Sequence, residues 1–271
     1  MRKSMGSIAR QWLTVVAVLM AIALNGVSNI FPPAGKNVGE VSNTVLGGVL
    51  ITPAGYAFAI WGLIYLGLIA YSIYQALPGQ RQNAAIAQTS WMLIGACVLQ
   101  MVWLYAFLMS NFWLSVGLIA GILGCLMVGY VRSRSVIPTR QVRWLFQAPI
   151  SVYFAWITVA TVVNVAGALY DSFFAGGPAM TAIGVACTVL MMAISAAIAA
   201  VVALRYGDAS FAAVVVWALC AIAIRQAIVP PLAFIGVGLA VGLSILMVRI
   251  VVNGQGRIRQ ASIADRYERP L

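Results

Sequence analysis

Histidine is absent from the 271 residues, and only five acidic side chains occur: Glu40, Asp171, Asp208, Asp265 and Glu268. Most metal sites, nucleophilic triads and proton relays therefore lose their usual donors and bases. Charge of either sign is scarce, at 8% of residues, about a third of the soluble norm. The four cysteines, Cys97, Cys125, Cys187 and Cys220, all fall inside apolar runs. There a thiol behaves as a small hydrophobe, so neither a disulfide framework nor a zinc spacing follows.

What remains is apolar: 63% of the chain is hydrophobic and mean hydropathy is +1.01. The apolar residues come in blocks of about 20, the length that crosses a hydrocarbon core about 30 Å thick. The fold class expected is all-α, a polytopic transmembrane bundle with helices over 11–30, 53–76, 89–110, 112–131, 143–169, 179–204, 209–227 and 230–252. The first block continues through to Asn29 without a clear cleavage site and is read as a retained helix, not a signal peptide. The run from 89 to 131 would overshoot the bilayer about twofold as one helix, so a tight turn at Ser110–Asn111 is expected. Pro230–Pro231 separates the last two spans.

Net charge is +11, but the 14 Arg and 2 Lys sit in the short segments between blocks, which marks topology and argues against a nucleic-acid partner. Eight spans put both ends on one side. Arg2, Lys3, Arg10, Arg81, Arg132, Arg134, Arg140, Arg143, Arg205 and Arg249 then share one face with the tail arginines, against only Lys36 and Arg225 on the other. That places both termini in the cytoplasm, in an inner or plasma membrane of bacterial type, with membrane lipids as partners. Arg225 reads as an interfacial side chain turned to the headgroups. The loop 31–53 is the longest between helices and serves either as a lid or as an interfacial loop. The tail 253–271 is a solvated basic segment near anionic headgroups. No strong internal repeat is found.

Inside a membrane, polar and aromatic side chains gathered on one helical face are informative. Phe58, Trp61 and Tyr65 form one such stripe, continued by Ser72; Gln100, Trp103 and Phe107 form a second; Tyr153, Trp156, Ala160 and Asn164 form a third. Facing one another they would line a pocket for a large planar apolar molecule, with the amides of Gln100 and Asn164 orienting its polar edge. The alternative is plain helix packing with the amides bonded across the bundle. Tyr56, Trp91, Trp113 and Trp144 lie near span ends, as in an aromatic belt. Gly117-x-x-x-Gly121 and Gly238-x-x-x-Gly242 permit close helix approach, within the chain or in a homodimer.

Thr52–Pro53–Ala54–Gly55–Tyr56 with Trp61-x-x-x-Tyr65, Gln100-x-x-Trp103 followed by Phe107, and Tyr153-x-x-Trp156 with Asn164 resemble signatures of the TspO/MBR family, the tryptophan-rich sensory or translocator proteins. The resemblance covers about residues 11–168. It departs from the family at the single Pro53 where a double proline is usual, at Val152 in place of proline, and at Gln100 in place of asparagine. It implies a five-helix bundle over 1–170, three additional helices over 171–252 and the tail. It further implies a first loop capping a cavity, and a ligand such as a porphyrin, a haem-like tetrapyrrole or a sterol.

The site residues implied are Pro53, Tyr56, Phe58, Trp61, Tyr65, Gln100, Trp103, Phe107, Tyr153, Trp156 and Asn164, with no cofactor required. The expected function is small-molecule binding or sensing and not an enzyme, apart from a photo-oxidative breakdown of bound porphyrin that needs no titratable base. The alternative is a transporter of an apolar or zwitterionic solute.

Overall fold

Apolar stretches become helices here because, in hydrocarbon, each backbone N–H and C=O must find its partner within its own segment. The computed structural model describes residues 2–174 and 181–267. The end of the predicted tail, with Glu268 and Arg269, lies outside the described residues, as does 175–180, which includes the first two residues of the sixth predicted span. The helices are α1 (Arg2–Ile30), α2 (Val38–Thr44), α3 (Ile60–Ala76), α4 (Ala84–Leu108), α5 (Phe112–Ser133), α6 (Arg140–Val142), α7 (Ala148–Phe174), α8 (Ala182–Tyr206), α9 (Ala209–Arg225) and α10 (Pro230–Tyr267). A 3₁₀ turn, Gly55–Ala59, leads into α3, and a π turn, Arg143–Gln147, leads into α7. Among the described residues seven helices are long and apolar enough to cross a membrane; a further apolar helix, α9, has 17 residues, about 26 Å at 1.5 Å per residue.

Three local events set the breaks. Ser110 takes a left-handed backbone, φ 57°, and Asn111 caps α5 by accepting from Leu114 N at 3.4 Å, so the 89–131 run turns where expected. Pro230 opens α10. Pro149, in the first turn of α7, lies against Gly67 of α3, where an added Cβ would come within 3.2 Å of the proline ring; Gly67 thus lets α3 and α7 approach closely.

The structure also differs from the hydropathy reading. The second span does not start at 53: Pro53 and Ala54 are extended, and regular α-helix begins at Ile60. Backbone helix runs on through Tyr267 where the span was expected to end at 252, because hydropathy marks where lipid stops and not where a helix must. A Cβ added at Gly238 or Gly242 would meet nothing within 4 Å, whereas Gly236 is the point of close approach between α10 and α9, where an added Cβ would lie 3.1 Å from Ala223 Cβ.

α1 packs on α3 and α4, α4 on α5, and α5 on α7, with α7 also against α3. α8, α9 and α10 pack together and join the other helices through α7. At the arginine-rich end this join is sealed by Asp208. Its Oδ2 accepts from Tyr130 Oη at 2.9 Å, Arg134 Nη2 at 2.5 Å and Ser151 Oγ at 2.5 Å, while its Oδ1 caps α9 through Ser210 N and Phe211 N. One carboxylate thereby ties α5, α7 and α9 together.

Candidate ligand-binding site

At the opposite end the loop between α1 and α3 folds over the helices. Asn37 and Glu40 form a reciprocal capping box that starts α2. Val41, Leu46, Val49, Leu50, Ile51 and Thr52 of this segment are themselves buried, so the loop packs down on the bundle as a lid. α9 holds it down. Gln226 Nε2 donates to Leu50 O at 2.6 Å, Ala54 N donates to Ala221 O at 3.1 Å, and Trp217 Nε1 donates to Ala57 O at 3.1 Å. Arg225 donates to Asn43 Oδ1 and, at 3.5 Å, to Pro53 O. The Arg225 guanidinium is thus bonded to the lid, through the Asn43 side chain and the Pro53 carbonyl.

Under the lid lies a cavity of about 50 Å³ lined by Pro53, Phe58, Trp61, Trp103, Phe107, Trp156 and Asn164, closed from above by Val38 and Ser42 of α2. The three aromatic stripes meet here. Phe58 lies edge-on to Trp156 with centroids 6.2 Å apart, and Trp103 stacks on Phe107 at 5.2 Å. Tyr65, Tyr153 and Gln100 stand behind Trp61 instead of on the cavity wall. The Trp61 ring is 5.5 Å from Tyr65 and 6.2 Å from Tyr153, and Tyr153 Oη donates to Gln100 Oε1 at 3.5 Å. Tyr65 Oη and Gln100 Nε2 are buried with no partner. Tyr56 sits apart from the cavity, edge-on to Trp217 at 5.2 Å. Trp91, Trp113 and Trp144 are exposed on the outside of the bundle.

The amide of Asn164 is engaged on both sides. Trp103 Nε1 donates to its Oδ1 at 2.8 Å, and its Nδ2 donates to Ser115 Oγ at 2.8 Å. It fixes the Trp103 indole against the cavity wall. Asn164→Leu is expected to lower unfolding stability by about 1–3 kcal/mol, because the buried Trp103 indole N–H loses its acceptor while Ser115 Oγ keeps its bond to Phe112 O. An unchanged unfolding midpoint in thermal denaturation would remove this bond from the account.

The sequence reading missed Val38 and Ser42, although the Asn37-x-x-Glu40 pattern marks a helix start and puts the two on one face at i, i+4. It also missed Val159 and Val163 of α7. These separate the aromatic cavity from a narrow slit bounded by Ile51, Ser195 and Ile222, beyond which a larger cavity of about 140 Å³ lies between Gly48–Ile51, Tyr170 and Cys187. All three spaces adjoin the lid or the segment that follows it. Among the described residues no three metal-ligating side chains cluster.

The family model described as TSPO-like protein matches residues 11–251. The match runs through α8, α9 and most of α10, and is thus wider than the 11–168 stretch that carries the motifs. No curated protein and no solved structure matches the chain.

Proposed function

The chain belongs to the TSPO-like protein family, an all-α membrane protein by its helices, and from that premise we propose that it binds a flat apolar ligand, of the porphyrin or sterol kind, between α3, α4 and α7 beneath the lid. The observation that carries this reading is the convergence of Trp61, Trp103 and Trp156 from three helices on one cavity. Three indoles offer broad π-faces to a planar molecule, and packing alone would not need them turned to a shared space. The unpartnered Gln100 Nε2, buried behind Trp61 and one turn along α4 from Trp103, becomes a donor to the ligand when the Trp61 ring shifts aside. The protein in this reading senses or stores its ligand and performs no chemistry on it, and its arginine-rich ends face the cytoplasm of a bacterial inner membrane.

A space of about 50 Å³ holds a few waters and falls well short of the several hundred Å³ that a drug-sized ligand occupies. Binding therefore requires the lid to lift, or Val159 and Val163 to yield toward the neighbouring slit. Because the three cavities described above adjoin the same loop, the arrangement favours a binding site with one mouth over a transport path with two. Protoporphyrin IX titrated into the purified protein is expected to quench tryptophan emission saturably. Trp156→Phe should weaken that binding by about three- to tenfold, the worth of one aromatic contact at ~0.5–1.5 kcal/mol. Quenching that never saturates, or is the same in the variant, would return the stripes to helix packing.

A further inference from the structure

A second polar cluster lies at the arginine-rich end, where α1 meets the end of α3 and the turn into α4. Gln11 Nε2 donates to Gln75 O at 2.6 Å and to Leu77 O at 3.3 Å, and Gln75 Nε2 donates back to Gln11 O at 2.9 Å, clasping α1 to α3. Arg10 Nη2 donates to Arg81 O at 3.3 Å, and Arg81 Nε donates to Gln11 Oε1 at 3.3 Å. Arg10 is only 4% exposed and Gln75 is 0% exposed. Two of their buried atoms are left over: Arg10 Nε has no acceptor and Gln75 Oε1 has no donor. Among the described residues no carboxylate pairs with either arginine, the ion pair present being Arg134–Asp208.

An arginine that serves only as a topology signal extends its head into water. Arg10 does the reverse and is held inside the protein without a counter-charge, which is the costly arrangement for a cation. A phosphate oxygen beside Arg10 and Arg81 would supply the missing counter-charge, and a hydroxyl carried by the same ligand would supply the donor that Gln75 Oε1 lacks. The cluster stands where the apolar window of α1, starting at Gly6, and that of α4, starting at Ala84, begin, the depth at which phospholipid headgroups lie. Basic pockets between transmembrane helices at this depth are suited to such headgroups.

We propose that Arg10, Arg81, Gln11 and Gln75 form a site for the headgroup of an anionic phospholipid that carries a hydroxyl, its phosphodiester accepting from the two guanidinium groups. Half-buried Arg81 forms the mouth and Arg10 the floor. The test is native mass spectrometry of the full chain, released from detergent micelles containing phosphatidylglycerol and phosphatidylcholine in equal amounts. Phosphatidylglycerol should be retained selectively, and Arg81→Ala should lower its affinity about fivefold, the factor for one cation at an anionic surface. Arg10→Gln should lower it at least as much, whereas Arg140→Ala, at an exposed position on the same face, should leave it unchanged. Arg81 is not part of the interior, so that variant carries the test even if Arg10→Gln does not fold. Displacement of the lipid by millimolar glycerol phosphate would support the phosphate site and place its source in the aqueous phase. Equal retention of the two lipids, or equal retention by wild type and Arg81→Ala, would overturn the proposal and leave a bridging water as the partner of Arg10 and Gln75.

Discussion

Asp208→Ala is expected to destabilise the folded protein by about 3–5 kcal/mol, the cost of removing one partner from a buried ion pair. Asp208 is 4% exposed and receives three side-chain donors besides capping α9. Without it Arg134 is left beside Tyr130 with only the ring, 4.5 Å away, to face. Tyr130, fully buried among Phe154, Tyr206 and Phe211, keeps its contacts but loses its acceptor. Because the Arg134 side chain is 17% exposed, it can recover part of its hydration, which places the loss toward the lower end of the range. Asp208→Asn should cost less, since an amide oxygen can still cap α9. Arg134→Met combined with Asp208→Ala should be more stable than Asp208→Ala alone, because no uncompensated charge then remains. Unfolding in mixed micelles measures all three. A double variant as unstable as the sum of the single ones would show that the pair is not coupled.

The second large effect concerns the lid. Arg225→Ala with Gln226→Ala removes the side-chain bonds to Asn43, Pro53 and Leu50. At about 1 kcal/mol net for each of the three bonds, lid opening should become about 100-fold more frequent. A thiol placed under the lid reads this without any ligand. Ser42→Cys, in a chain whose four native cysteines are replaced, sits on the cavity wall and should be alkylated faster by that factor once the lid is loosened. Protoporphyrin IX should associate faster in the same variant if lid opening limits its access. An alkylation rate that stays the same would mean that the buried apolar residues Leu46, Val49 and Ile51, and not the α9 bonds, set the opening.

The two variants act at opposite ends of α9, and the contrast bears on what that helix does. At one end Asp208 anchors it to α5 and α7; at the other Gln226 and Arg225 hold the lid, helped by Trp217 at mid-helix. The anchored end gives the lid a fixed support, so a loop rich in small residues takes one defined position over the cavity. Gly48 fits this scheme, since a Cβ there would overlap the Tyr170 side chain, and so does Gly167, where a Cβ would lie 2.8 Å from Leu46 Cδ1.

Much of this architecture was legible along the chain. The apolar blocks mark eight helices, because a span must be about 20 residues of one character whatever its neighbours are. The turn at Ser110–Asn111 and the break at Pro230 follow from backbone chemistry at those residues. The aromatic stripes follow from helical periodicity, which places Trp61, Trp103 and Trp156 on defined faces of their own helices. Less legible were the residues that are polar for a partner far away in sequence. Gln226 is paired with Leu50, 176 positions distant, and Tyr130 with Asp208, 78 positions distant. A glutamine at the end of an apolar span looks the same whether it meets lipid, water or a lid. Asn164, too, has the same spacing whether its amide faces a ligand or is bonded between Trp103 and Ser115.

The sequence by itself therefore determined the class of protein and where its long apolar helices lie, since hydropathy and helical periodicity are local and act before any helix meets another. Only the tertiary structure decided that the loop closes over the aromatic faces, that α9 is its support and that Arg10 is drawn inside. Those outcomes depend on which backbone carbonyl or carboxylate lies within about 3 Å of a given donor, and that is settled by how whole helices pack.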